Sequence, residues 1–172
     1  PYVTTDLNEF RYFWRGDLAD VFGKRPGRVN LQHMHLARFH IAVGDETEPW
    51  LEADKEHVAD VVFARSERYH NWLFPWPKII AKYKKKACFV GFKQEYDSFV
   101  REFPEAKGVK HVVTPSLLQM ANIIHASELF VGNQSAPYAI AEGLKVNTIQ
   151  ETRNDVDRDV GADCVFNRPN AQ

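Results

Sequence analysis

This chain has little cysteine, no long apolar run and almost no net charge. Cys88 and Cys164 are its only thiols among 172 residues, and their spacing is no metal-ligand pattern. A disulfide framework is therefore excluded, and a reduced, cytoplasmic protein is expected. No apolar run approaches the roughly 18 residues that span a bilayer, so no integral membrane segment is expected. The net charge of −1 gives no bulk case for nucleic acid or an anionic surface. Neither a glycine-rich dinucleotide fingerprint nor a GxxxxGK[ST] loop occurs, which disfavours classical NAD enzymes and P-loop NTPases. No internal repeat, low-complexity tract or signal-peptide pattern is evident. The sequence starts at Pro1 and not Met, so a piece of a longer polypeptide is expected.

What is there is globular: 44% hydrophobic and 26% charged residues, enough for one domain with a real core. Residues 1–57 read as a helical segment. Leu7, Phe10, Trp14, Leu18, Val21 and Phe22 trace one stripe, and Asn30 to Gly44 forms a second helix. That second helix holds His33, His35 and His40. Two residues apart on a helix, His33 and His35 diverge, and no acidic or Cys partner stands at ligand spacing, so no metal site is expected.

From residue 58 the pattern changes to short apolar strands alternating with helices. Strands are expected at Val61–Ala64, Cys88–Val90, His111–Val113, Leu129–Val131, Val146–Ile149 and Cys164–Phe166. Helices are marked by Trp76, Ile79, Ile80 and Tyr83, then by Tyr96, Phe99, Val100 and Phe103. Ser116 with Gln119 opens a third, and a fourth begins at Pro137 with Ile140, Ala141 and Leu144 on its face. Such alternation predicts an α/β fold, a three-layer Rossmann-like unit over 58–172 with five or six parallel strands and helices on both faces.

Candidate chemistry lies in three turns that follow strands: Arg65 to Asn71, Gly91 to Glu95, and Gly132 to Ser135. They supply cations, hydroxyls, a carboxylate and a helix N-terminus, the groups that hold a nucleotide diphosphate. Arg65 and Arg68 are either phosphate ligands or solvated side chains. Glu95 is either a ribose ligand or a carboxylate serving its own helix dipole. His70 reads as a loop residue more readily than as a catalytic one.

Three ordered elements resemble the carboxyl-terminal half of GT-B glycosyltransferases, specifically the heptosyltransferase-like group. Phe74-Pro75-Trp76-Pro77 resembles the Lys-x-Trp-Pro stretch of that family. Gly91-x-x-x-Glu95 resembles its Gly-x-x-x-Glu turn, whose carboxylate holds the donor ribose. Leu118 to Leu144 resembles its helix–strand–turn signature, here reading Gly132-Asn133-Gln134-Ser135-Ala136-Pro137-Tyr138-Ala139. Phe74, Gln134, Ala136 and Ala139 replace the family's Lys, Asp, Gly and His.

The resemblance covers about residues 58–150. It implies a donor-binding half that takes a nucleotide-diphosphate sugar for metal-independent glycosyl transfer, without a cofactor and with a glycan or lipid-linked acceptor. Arg65, Ser66, Arg68, Glu95, Asn133, Gln134, Ser135 and Ala136 are its implied donor-binding residues. Such enzymes take the general base from an amino-terminal acceptor half, of which residues 1–57 resemble only the tail end, so the catalytic residues are unknown. Two other readings stand beside it: a non-catalytic module that binds nucleotides or sugar phosphates, and a GT-B-like nucleotide-sugar epimerase with Glu95 and Glu142 as candidate carboxylates.

Overall fold

A computed structural model of the chain describes residues 47–152 except Tyr69. These residues all belong to one compact unit. The helices expected within residues 1–44, the three histidines on the second of them, Cys164 and the strand expected at 164–166 lie outside the described residues.

Among the described residues five strands form the sheet: β1 (Val61–Ala64), β2 (Ala87–Val90), β3 (Lys110–Val112), β4 (Leu129–Asn133) and β5 (Thr148–Glu151). Every pairing is parallel, in the order β3-β2-β1-β4-β5. The helices between them are α1 (Trp76–Tyr83), α2 (Lys93–Glu102), α3 (Leu117–His125) and α4 (Ala136–Gly143). This is a Rossmann-like α/β layout.

Alternation along the strands sends side chains to two separate cores. Val61 and Phe63 point to one face, where Trp76, Ile79 and Ile80 of α1 and Phe99 of α2 cover them. Val62 and Ala64 point to the other, under Ala121 and Ile124 of α3 and Ile140 and Ala141 of α4. Helices therefore lie on both faces, as the alternating pattern required. The first core is aromatic. Trp76 is fully buried and meets Phe63, Phe74 and Phe99 edge-on at centroid distances of 5.7, 5.2 and 4.9 Å.

Several boundaries differ from the sequence reading. Gly132 and Asn133, expected in a turn, are the last two residues of β4, paired with Gln150 and Glu151. Gly132 must lack a side chain, because a Cβ there would stand 2.5 Å from the carbonyl oxygen of Ala64 on β1. β5 begins two residues later than expected because Val146 still closes α4. Lys145 N–H donates to Glu142 O, and Val146 N–H donates to Ala141 O. That is a Schellman closure, with Lys145 in the left-handed region at φ 57°. Leu117, the first residue of α3, is exposed.

Residues 47–57 carry no helix, although they fall in the segment expected to be helical. They form an extended arm across α3 and α4. Trp50 and Leu51 N–H both donate to Gly143 O, and Glu56 N–H donates to Asn122 O. Leu51 and Ala53 pack on the second core, so the unit begins before residue 58.

Two tests follow from this packing. Gly132→Ala forces β1 and β4 apart and should lower unfolding free energy by about 1–3 kcal/mol in urea titration, the range for overpacking. Cys88 sits at zero exposure in the middle of β2, and burial pushes its thiol from 9.0 up to about 11. A folded-state pKa above the unfolded one favours the neutral thiol. This stabilisation is complete below pH 9 and is lost as pH rises towards about 11. In a Cys164→Ser background, an aromatic disulfide reagent should label no thiol in the native protein at pH 8, and one after denaturation.

Candidate ligand site at the strand ends

The sheet order reverses between β1 and β4. β1 is followed by a crossover to β2 on one side, and β4 by a crossover to β5 on the other. The crevice beyond such a reversal, at the carboxyl ends of the strands, is where open α/β sheets bind ligands. A cavity of about 640 Å³ opens there. Its walls come from four turns. Arg65, Ser66 and Arg68 follow β1, and Gly91, Phe92, Lys93 and Glu95 follow β2. Val113 to Leu117 follow β3, and Ser135 to Pro137 open α4.

Of the eight residues expected to bind a donor, Arg65, Ser66, Arg68, Glu95, Ser135 and Ala136 line this cavity, and Asn133 and Gln134 do not. Convergence at one end of the sheet is thus found for six. Their side chains have unequal freedom.

Arg65 is committed elsewhere. Its side chain leaves the cavity wall for the aromatic core, at 5.1 Å from the Phe103 ring centroid. There Nε and Nη2 donate to Glu151 Oε2 and Oε1 at 2.8 and 3.2 Å. Nη1 and Nη2 donate to Glu102 Oε2 and Oε1 at 2.6 and 3.1 Å. The guanidinium makes bidentate bonds to two carboxylates at once. Burial alone would lower its pKa, but the bonds from Glu151 and Glu102 outweigh that and raise it. Arg65 is therefore a structural cation, and the phosphate-ligand reading of it does not fit this geometry.

Glu151 is the residue the sequence reading missed. It has zero exposure and four donors. Besides Arg65, Asn71 N–H donates to Oε1 at 2.8 Å and the Trp76 indole donates to Oε2 at 2.9 Å. One carboxylate thus ties the end of β5 to the β1–α1 loop and the start of α1. The expected end of β5 at Ile149 left Glu151 in a loop. The signal available was a lone acid just past an apolar run, which is weak.

Asn133 also positions the loop. Fully buried, its Oδ1 accepts from Ser66 N–H at 3.0 Å while its Nδ2 donates to Ser66 O at 3.0 Å and to Arg68 O. The amide reads both backbone groups of Ser66, as a neighbouring strand would. Ser66 Oγ also donates to Asn133 Oδ1 at 3.3 Å. His70 bonds Ser66 O through Nε2 at 2.7 Å.

Glu95 serves its own helix. Its Oε2 accepts from Phe92 N–H at 2.8 Å, the carboxylate half of a capping box. Gly91 beside it has φ 140°, and a Cβ there would meet that oxygen at 2.7 Å. Ser135 is the N-cap of α4, but its Oγ donates to Asn133 O at 3.1 Å and caps no helix N–H. Glu142, a candidate carboxylate of the epimerase reading, is buried beside Thr148 and Lys145 and does not line the cavity. The β3–α3 turn, Val113-Thr114-Pro115-Ser116, forms a wall that the sequence reading did not name. Phe92, Val113 and Leu117 stand more than 60% exposed around it and give the cavity an apolar rim. Among the described residues no cluster of His, Cys, Asp and Glu could hold a metal ion.

No family model, curated protein or solved structure matches the chain.

The two arginines should separate by stability. Arg65→Ala strands the buried Glu151 carboxylate and should lower unfolding free energy by about 3–5 kcal/mol. Arg68→Ala, at an exposed position, should change it by about 0.5 kcal/mol or less. Urea unfolding of both variants measures the difference.

Proposed function

We propose that this unit is the donor-binding half of a GT-B-type glycosyltransferase, binding a nucleotide-diphosphate sugar for metal-independent transfer. The observation that carries the reading is the convergence of Ser66, Arg68, Glu95, Ser135 and Ala136 on one cavity at the sheet's reversal point. Small residues at Ser135 and Ala136 allow a diphosphate to approach the start of α4, where the helix dipole adds about 0.3–1 kcal/mol. Arg68, on the cavity wall, supplies the countercharge, and a charge-assisted bond contributes roughly 1.5–3 kcal/mol. The apolar rim of Phe92, Val113 and Leu117 suits the aromatic base. Transfer would draw on a base and an acceptor from outside residues 47–152.

A second reading, a nucleotide-binding module without catalysis, is favoured by the commitment of Arg65 to Glu102 and Glu151 and of Glu95 to Phe92 N–H. The other cations that line the cavity are Arg68 and Lys93, and Lys93 pairs with Asp97, which is less positive charge than stabilisation of a departing diphosphate favours. The epimerase reading loses Glu142 from the site.

Calorimetric titration with nucleoside diphosphates and the matching nucleosides tests binding. Arg68→Ala should weaken the diphosphate by about tenfold or more and leave the nucleoside unchanged, because about 1.4 kcal/mol is tenfold. Equal losses for both ligands would mean that Arg68 acts through the fold. Saturable diphosphate binding with no hydrolysis or transfer from any nucleotide sugar by the full chain would favour the module.

A further inference from the structure

From Arg68 to Gln94 the sequence holds seven Lys or Arg and no Asp or Glu, in a chain whose net charge is −1. Five of the seven lie between Lys78 and Lys86, on α1 and the 3₁₀ turn Lys84–Lys86 that continues it. Helical spacing puts Lys78 and Lys82 at i and i+4 on one stripe of α1, and Lys85 is exposed on the 3₁₀ turn that continues it. Trp76, Ile79 and Ile80 are buried on the opposite side, so the stripe faces solvent. Lys78 and Lys85 form no ion pair among the described residues. Lys86 has loose, exposed carboxylate partners, Asp60 at 3.8 Å and Glu128 at 3.7 Å, and Lys82 and Lys86 stand 4.7 and 5.9 Å from the Tyr83 ring centroid. Lys84 is turned away, donating to Glu105 O and Lys107 O.

Just before the amino end of this helix, the β1–α1 loop presents Trp72 and Leu73 at 83% and 80% exposure. Trp72 meets the His70 ring edge-on at a centroid distance of 6.2 Å, and most of its surface and that of Leu73 stands in water ahead of the lysine-rich helix. Together they match the two components of an anionic bilayer surface: lysines pair with headgroup phosphates, and the apolar side chains enter the boundary with the acyl chains. A nucleic acid fits less well. The seat is a convex helix face and not a groove, its cations are all lysine, and Leu73 offers no stacking surface.

We propose that the outer face of α1 with Lys78 and Lys82, together with Lys85 of the turn beyond it and the Trp72–Leu73 tip, docks this protein reversibly on anionic phospholipid surfaces. The charge complementarity commits the face to a lipid bilayer. The proposal is independent of the nucleotide reading, since none of these five residues lines the cavity.

Co-sedimentation of the full chain with vesicles tests it, using phosphatidylcholine alone and phosphatidylcholine containing about a third phosphatidylglycerol. Binding is expected only to the anionic vesicles, and it should weaken as salt is raised. Lys82→Glu/Lys85→Glu should reduce it by about tenfold or more, whereas Lys55→Glu/Lys93→Glu, with the same change in net charge, should reduce it much less. Trp72→Ser/Leu73→Ser should also weaken binding and make the remainder more salt-sensitive. All variants change exposed side chains, and thermal melts confirm that they fold. Equal binding to neutral vesicles would overturn the proposal, as would equal losses from both charge pairs. So would binding to polyuridylate with none to vesicles, which would mark a polyanion site instead.

Discussion

The carboxylate of Glu151 organises the end of the sheet that carries the cavity. A buried charge is tolerable only when paired and hydrogen-bonded, and this one receives four donors from three places in the chain. The guanidinium of Arg65 neutralises it and carries a second carboxylate, Glu102, towards solvent. Trp76 contributes its indole N–H, which fixes the largest ring of the aromatic core and with it the start of α1. Asn71 contributes a backbone N–H, which sets the path of the β1–α1 loop. Packing, ion pairing and loop geometry thus meet at one side chain.

The opposite side of that loop is held by Asn133. Its amide extends the pairing of β1 with β4 beyond the last ladder residues, with a side chain in place of a strand. The close approach of the two strands needs Gly132, whose missing Cβ admits the carbonyl of Ala64. Two neighbouring residues that resemble a ligand-binding motif therefore act first as architecture. A loop fixed from both sides gives a cavity wall that exists before any ligand arrives, which lowers the ordering cost of binding.

Much of this was legible in the sequence where period and composition speak directly. The alternation of short Val- and Phe-rich runs with helical stripes gave the parallel order of elements and the two-faced sheet. Trp76, Ile79, Ile80 and Phe99 were readable as core, and Ser116 as the N-cap whose Oγ accepts from Gln119 N–H. What was not legible depended on long-range partners. Nothing local distinguishes Arg65, which is buried against Glu151, from Arg68, which is exposed, since both follow the same strand. Glu95 could be read two ways, and its bond to Phe92 N–H shows that it serves the helix. Residues 47–57 fall in the segment read as helical, yet Leu51 and Ala53 pack against the core, Leu51 where Gly143 leaves room for it.

The distance along the chain between Arg65 and Glu151 also bears on how the protein is made. They are 86 positions apart, and β5 is the last strand of the described sheet. Loop closure over that span is among the slower events in assembling such a sheet. On the ribosome, β1 to β4 with all four helices are translated before the carboxylate that completes the Arg65 pair exists. A nascent chain ending short of residue 151 holds an arginine with one of its two partners and a tryptophan with no acceptor. Synthesis of β5 supplies the group that closes the described part of this sheet around Arg65 and Trp76.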